Sequence, residues 1–407
     1  MRILLLNDYG ILQGGAEIQM LRLRQLLRDR GHDARLFTSD ANTGDLTNEA
    51  DYTCKGTTSR FRTLLQTANP WAYAGLRKVM REFRPDIVHV KMFLTQLSPL
   101  ILPLLKGVPS LYHVAWYRPI CPTGTKMLPD GSACAVKAGT PCYMNGCLPL
   151  RDWAPLMMQM SLFRRWRGAF GAVLANSESV RDILSQNGID GVKVLHYGIE
   201  RRPDSLPPSE TPTAAYAGRL VREKGVDVLI RAFAKITEKL PDARLMIAGD
   251  GPDREKLKLL ISGLNLSSKV TVHGRLSSSE IDKSFGRAWV QVVPSTWAEP
   301  FGIAVVEAMM RGTAVVASGS GGLKEIVTNG ECGYLVPPGD IDALSEKLLL
   351  LLGDKDLCVS LGRAGRLRAE SRFSEDVFMS RLLDIYESLL MKYGNNRAQA
   401  PGSVSRA

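Results

Sequence analysis

The sequence has no stretch long and apolar enough to cross a bilayer. The longest apolar run in its 407 residues, 97–105, is short and holds two prolines. It also lacks the profile of a secretory leader, because Asn7 and Asp8 cut the first apolar segment after residue 6. Both absences predict a cytoplasmic protein. No Cys-x2-Cys pair, the spacing that reads most directly as zinc, occurs among the seven cysteines. No Asp-x-Asp pair stands at a predicted strand end, where a substrate-bound divalent metal would want one. Helix-turn-helix, RNA-binding and zinc-finger signatures are missing too, and positive charge is dispersed, which excludes nucleic acid as a partner.

What is present is an ordinary globular composition with a basic bias. Hydrophobic residues make up 45% of the chain, and its length calls for two domains. The formal net charge is +11. Residues 1–200 hold 24 Lys and Arg against 16 Asp and Glu, so +8 of that charge falls in this half. A basic half points to an anionic partner, either a phosphate-bearing substrate or an anionic membrane surface. The segment 151–174 carries Trp153, Met157, Met158, Met160, Phe163, Trp166 and Phe170 together with Arg164, Arg165 and Arg167. It reads either as a helix packed into a core with a solvated basic face, or as one lying peripherally on the inner face of a membrane.

Apolar runs of strand length alternate with helical spacing along most of the chain. Residues 2–7 read as a buried parallel strand, and a glycine loop, a helix over 16–30 with Ile18 on its inner face, and a strand over 34–38 follow. Strands are predicted at 85–90, 109–114, 172–177 and 192–198. Residues 201–212, rich in Pro, Ser and Glu, read as a linker. The pattern then restarts, with strands at 213–218, 243–249, 269–274, 289–294 and 314–317. Asp340 is placed to cap a helix over 341–352. The chain therefore divides into residues 1–200, the linker, and residues 213–375. An amphipathic helix over 376–393 and a polar tail over 394–407 follow, the tail expected to be disordered.

The most informative stretch is 295–307. Pro300 and Gly302 keep it out of a helix until about residue 302, and Gly312 stands where a helix C-cap glycine belongs. Glu299 thus lies in a loop and Glu307 in the first turns of a helix. The N–H groups of Phe301, Gly302 and Ile303 open that helix and favour anions or hydroxyl oxygens. Gly218, Arg219, Lys224 and Gly225 put two cations at the mouth of a strand–helix loop, where they can grip a phosphate. Gly14 and Gly15 allow close approach to a diphosphate. Taken singly, each feature has a plainer reading: a solvated loop residue, a solvated charge pair, a tight turn.

Together these residues resemble the family-4 retaining glycosyltransferases. Glu299, the Pro-Phe-Gly that follows it, and Glu307 match the family's E-x7-E signature. Gly218-Arg-Leu-x-x-x-Lys224-Gly225 matches its pyrophosphate clamp, and Gly14-Gly15-Ala16-Glu17 its first glycine loop. The resemblance implies a GT-B fold: two doubly wound Rossmann-like α/β domains facing a central cleft, with the last helix crossing back to the first domain. It implies a nucleotide-diphosphate sugar as donor, a glycan or lipid-linked hydroxyl as acceptor in cell-envelope synthesis, retained stereochemistry, and no metal or other cofactor for catalysis.

By the same resemblance Glu299 contacts the donor sugar, as do the amides of Phe301, Gly302 and Ile303. Glu307 holds the ribose hydroxyls. Arg219, Lys224 and the Gly15 amide take the diphosphate charge. Gly218, Gly251 and Arg275 line the nucleotide pocket, and Gly321-Gly322-x-x-Glu325 matches a further glycine segment. His113 would stand beside the reacting sugar, although Val114 follows it where the family usually has Asp. A sugar phosphorylase, a nucleotide-sugar epimerase and a non-catalytic nucleotide-binding protein remain the alternatives. Cys121, Cys134, Cys142 and Cys147 fall within 27 residues, and they leave three readings open: a structural zinc site, reduced thiols, or disulfides.

Overall fold

The structure, a computed structural model, describes residues 1–12, 14–41, 47–60, 62–202 and 207–398, and side chains as far as residue 395. The chain forms two compact units. One comprises residues 1–176, 180–195 and 379–407, the other residues 177–179 and 196–378.

The first unit holds a seven-stranded parallel sheet. Its strands are β1 (Arg2–Leu6), β2 (Asp33–Ser39), β3 (Tyr52–Cys54), β4 (Ile87–Val90), β5 (Ser110–Val114), β6 (Ala172–Ala175) and β7 (Lys193–Val194), in the order β3-β2-β1-β4-β5-β6-β7. The second holds β8 (Thr213–Ala217), β9 (Arg244–Ala248), β10 (Val270–Gly274), β11 (Val290–Val293), β12 (Ala314–Ser318) and β13 (Tyr334–Val336). These six parallel strands run β10-β9-β8-β11-β12-β13. The central strands are apolar on both faces because helices cover both: Ile3, Leu4, Leu5, Leu6, Val290 and Val292 are fully buried. Both sheets have the doubly wound order, so the α/β architecture inferred from the alternation is the one observed.

Several local expectations change. Tyr197 and Ile199 pack with Phe301 and Phe373 in the second unit's core, so the change of unit comes after Leu195 rather than near residue 200. The last helix spans Glu375–Ala398, which makes residues 394–398 helical; the rest of the expected disordered tail lies outside the described residues. From Met379 onward this helix groups with the first unit. Ile18, expected to face the core, is exposed. Asp340 caps its helix as expected, its carboxylate accepting from the Ala343 N–H at 2.9 Å.

The basic aromatic segment forms the helix Leu150–Trp166. Its Leu156, Met160 and Phe163, with Phe170 beyond it, are buried, and Phe93, Tyr112, Phe163 and Phe170 form one aromatic group. Met160, Phe163 and Phe170 are thus taken up by the core, Trp153, Met157 and Trp166 are half-buried, and Met158, Arg164 and Arg165 face solvent. The packed-helix reading holds for that part of the segment, and the peripheral membrane expectation gains no support. Among the described residues no helix is long and apolar enough to cross a membrane.

Cys121, Cys134, Cys142 and Cys147 are free thiols. Among the described residues no three His, Cys, Asp or Glu are grouped to hold a metal ion. The Cys121 sulfur sits 3.1 Å from the Thr123 hydroxyl, and Cys142 packs with Leu148 and Leu156. Burial, with the other cysteines of the cluster nearby, raises the pKa of Cys142 and Cys147. The structure holds these cysteines as thiols, which overturns the disulfide reading, and the zinc reading gains no support.

Candidate functional site

A doubly wound sheet opens a crevice beyond its carboxyl edge where the winding reverses. In the second unit that point lies between β8 and β11. The loops leaving these strands are 218–225 and 294–302. Backbone contacts lock them together. The Thr296 N–H donates to the Glu223 carbonyl at 3.0 Å. Gly225 has a φ of +64°, and a Cβ there would lie 2.1 Å from the Pro294 carbonyl oxygen; only glycine meets both demands. A third loop, after β12, presses from the other side. At Gly321, φ +55°, a Cβ would lie 2.2 Å from the Glu299 carbonyl oxygen, and the Gly322 N–H donates to that carbonyl at 2.8 Å.

The loops converge on Glu299, which is 5% exposed. Its Oε1 accepts from Lys224 Nζ at 2.5 Å and from Ser295 Oγ at 2.6 Å. Burial by itself would raise the pKa of this carboxyl. The Lys224 ammonium and the Ser295 hydroxyl outweigh it and hold the group below the usual carboxylate range. Lys224 also stands 5.6 Å from the Trp297 ring centroid. An ammonium has three donors, so the Glu299 bond leaves capacity for a ligand.

Phe301 is buried against His196, Tyr197 and Phe373, with ring centroids 5.5–5.8 Å apart. This fixes the backbone where the helix Ile303–Met310 begins. The N–H groups of Phe301, Gly302 and Ile303 have no acceptor among the described residues. They are three open donors at a helix start. One turn on, Glu307 is half-buried. Its carboxylate makes no hydrogen bond among the described residues; Arg202 Nη2 stands 3.9 Å away, and the charge of Arg311 acts on it as well. Burial raises its pKa against the pull of Arg311 and Arg202.

The remaining residues singled out from sequence stand apart from this pair. The side chain of Arg219 is 66% exposed and, among the described residues, pairs only with Glu223, at 3.8 Å. The Gly218 amide is used by the Ala248 carbonyl, and the Gly251 amide by the Asp250 carboxylate. Arg275 is exposed at the end of β10. Glu325 is engaged: it takes His196 Nε2 at 3.0 Å and the amides of Glu178 and Ser179 at 2.9 Å.

In the first unit, Gly15 is exposed at the start of the helix Gly15–Asp29, and its amide has no acceptor among the described residues. His113 is 1% exposed, and its Nε2 lies 3.2 Å from the Leu195 carbonyl, to which it donates. Burial, with His89 and Lys91 nearby, pushes its pKa well below the ordinary histidine value. A neutral imidazole donating at Nε2 is a fixed dipole at that nitrogen, not a proton acceptor. Sequence reasoning had no sight of Ser295, four residues before Glu299, or of Arg202 in the supposed linker. Ser295 could have been suspected, since it follows a strand end directly. Arg202 carried no signal.

Residues 13–202 match the model of Glycosyltransferase Family 4, and residues 199–368 that of Glycosyl transferases group 1. An exopolysaccharide phosphotransferase of Streptomyces coelicolor is 34% identical over 206 residues, 49% of this chain and 22% of the relative. A GDP-mannose-dependent phosphatidylinositol monomannoside mannosyltransferase of Corynebacterium glutamicum is 34% identical over 184 residues, 44% of this chain and 48% of the relative. The chain thus spans less than half the length of these relatives. The solved structure of a sucrose-phosphate synthase from Thermosynechococcus elongatus superposes with a TM-score of 0.75 at 22% identity, covering 96% of this chain and 100% of the other. That likeness shows the fold.

Proposed function

For a chain built from the two domains of a GT-B glycosyltransferase, we propose that it moves a sugar from a nucleotide-diphosphate sugar to a hydroxyl acceptor, with retention at the sugar carbon. The observation that carries this reading is the buried Lys224–Glu299 pair set beside the open amides of 301–303. The reaction needs positive charge where the diphosphate departs and hydrogen-bond acceptors where sugar hydroxyls lie.

Lys224 supplies a fixed ammonium, already oriented by Glu299, and Arg219 supplies a mobile one at the loop mouth. The diphosphate gains negative charge as the sugar leaves, so both cations bind the transition state better than the donor. Glu299 presents its charged carboxylate to a sugar hydroxyl. Glu307 has open lone pairs for the ribose diol. The amides of 301–303 complete the sugar pocket, and Gly218, Gly251 and Arg275 line the nucleotide. The departing phosphate oxygen takes the acceptor's proton. His113 is left a supporting dipole. The acceptor is a glycan or lipid-linked hydroxyl of the cell envelope, a reading supported by the two relatives, one named for an exopolysaccharide and the other for a phosphatidylinositol mannoside.

Calorimetric titration with UDP and GDP, followed by slow hydrolysis of their sugar conjugates, tests the reading. One nucleotide should bind, and its sugar conjugate should turn over in EDTA, because Lys224, Arg219 and the helix amides supply the charge. No binding of either nucleotide would overturn the donor site. Activity lost in EDTA and restored by Mg²⁺ would overturn metal independence alone.

A further inference from the structure

Arg202 belongs to no motif, yet it sits at the centre of an unusual charge cluster. Its side chain is 13% exposed. Nη1 lies 3.3 Å from Asp282 Oδ2 and 3.5 Å from Glu200 Oε2. Nη2 donates to Ser278 Oγ at 3.0 Å and stands 3.9 Å from Glu307 Oε1. Behind Asp282, Arg311 Nη1 reaches Oδ1 at 3.2 Å, while its Nη2 donates to Gln291 Oε1 at 2.6 Å. The charges therefore alternate around a closed cluster, Glu307, Arg202, Asp282 and Arg311, with Arg311 acting on Glu307 as well. The backbone of Arg202 is held as well, its carbonyl accepting from Arg366 Nη2 at 3.0 Å.

A guanidinium is a rigid plane, so anchoring it on Asp282 and Ser278 fixes where its charge stands. Both anchors lie on the helix Ser278–Phe285. The distance to Glu307 is the informative quantity. At 3.9 Å the guanidinium is too far away to hydrogen-bond. It therefore applies its field to the carboxylate without occupying a lone pair. A direct bidentate pair would have filled the oxygens and left nothing for a ligand. A carboxylate held this way can accept two neighbouring hydroxyls at once.

We infer that Arg202 is a positioning residue that holds the Glu307 carboxylate ready for the vicinal diol of ribose, and so sets the preference for ribonucleotide over 2′-deoxyribonucleotide donors. This rests on Glu307 being the ribose acceptor. Arg202 itself does not touch the nucleotide. Its effect passes through Glu307, and Asp282 and Ser278 act on Arg202 in turn.

Titration calorimetry of the full chain with UDP, dUDP, GDP and dGDP tests the inference on four proteins: wild type, Glu307→Gln, Arg202→Met and Ser278→Ala. A hydroxyl on a carboxylate is worth roughly ten- to a hundredfold in affinity, and the wild type should prefer the ribonucleotide by that factor. Glu307→Gln should lose most of the preference. Arg202→Met should lose it too, while its affinity for the deoxynucleotide stays within about threefold of wild type, because base and diphosphate contacts remain. A variant damaged only in structure would weaken both ligands alike and keep the ratio. Ser278→Ala, which removes one anchor, should give an intermediate ratio. A wild-type ratio in Arg202→Met overturns the inference, as does a wild-type ratio in Ser278→Ala if Arg202→Met fails to fold by circular dichroism. Absence of any ribose preference in the wild type, or its survival in Glu307→Gln, overturns the Glu307 reading instead.

Discussion

At the winding reversal of the first sheet, between β1 and β4, a carboxylate ties two loops together, and at the equivalent point of the second sheet another does the same. The first is Asp8, which follows β1. It accepts from the Thr95 amide and hydroxyl at 2.9 and 2.6 Å, from the Gln96 amide at 2.7 Å and from the Leu97 amide at 2.9 Å. The second is Glu299, held by Lys224 and Ser295. Both are buried, but their partners differ. Burial outweighs the neutral donors around Asp8 and raises its pKa. The ammonium beside Glu299 reverses the same burial. Four neutral donors saturate Asp8 and close its loop junction. At Glu299 an ammonium joins the neutral donors and keeps the carboxylate charged, and the lysine retains further donors. The same fastening is thus built without a cation in one sheet and with one in the other, and the partner decides the charge it carries.

Removing Lys224 should break this comparison hardest. Lys224→Ala strips the cation from a carboxylate that is 5% exposed, and an unpaired buried charge costs about 3–5 kcal/mol. Turnover should also fall about a hundred- to a thousandfold, the usual effect of losing a transition-state donor. Thermal melts and single-turnover rates would show both. Adding Glu299→Gln to Lys224→Ala should restore much of the melting temperature and none of the rate. A single variant that melts like the wild type would show that the pair does not hold the loops.

Arg219→Ala sharpens the contrast within the clamp. From sequence the two cations look alike, but Arg219 is 66% exposed and pairs only loosely with Glu223. Its removal should leave the melting temperature unchanged, since exposed pairs contribute little. Turnover should drop roughly ten- to a hundredfold, because a charged hydrogen bond to the departing diphosphate is lost. Equal rates for Arg219→Ala and wild type would remove Arg219 from the mechanism and leave Lys224 alone in it.

These two variants also mark how far the residues spoke for themselves. The doubly wound alternation was readable because central parallel strands are continuous apolar runs, and the 213–218 and 289–294 runs are β8 and β11. The edge strands β3 and β13 were missed: Tyr52–Cys54 and Tyr334–Val336 are three residues each, too short to show a period. Glu299, Lys224 and the 301–303 amides were readable as separate items on loops. Their pairing was not, since the 2.5 Å contact between Lys224 and Glu299 spans 75 positions and depends on two glycine approaches. The basic aromatic helix was only partly legible for a related reason. Composition shows that the helix Leu150–Trp166 is aromatic and basic, but only packing shows that Met160 and Phe163 have partners while Met158 stays exposed.

The smallest expected effect concerns acid stability, and it separates the two sheets by pH. In the first sheet, His89 on β4 and His113 on β5 lie side by side, ring centroids 5.7 Å apart. His89 Nδ1 meets the Tyr386 hydroxyl at 2.7 Å. Burial, with Lys91 nearby, holds the pKa of His89 down to about 3 and that of His113 well below 6.5. Both folded values lie below the unfolded one, so the unfolded chain binds more protons as the pH falls below 6.5, and stability is lost there. Each imidazole contributes a slope of roughly 1 kcal/mol per pH unit. Asp8 runs the other way, since its raised pKa favours the folded state in acid, but only as the pH falls into the carboxylate range. In the second sheet, Glu299 has a folded value below 4.5, so its contribution is intact above 4.5 and is lost only as the pH falls through the folded value. Between pH 6.5 and 4.5, then, the protection factors against amide exchange, each taken relative to the intrinsic rate at that pH, should fall in β4 and β5 while those of β8 and β11 hold. His113→Gln, which keeps a donor for the Leu195 carbonyl, should flatten the slope of the first sheet by about half. Protection factors in β4 and β5 that are the same at pH 7 and pH 5 would show that these imidazoles find a proton partner in the fold, and the two sheets would then share one acid response.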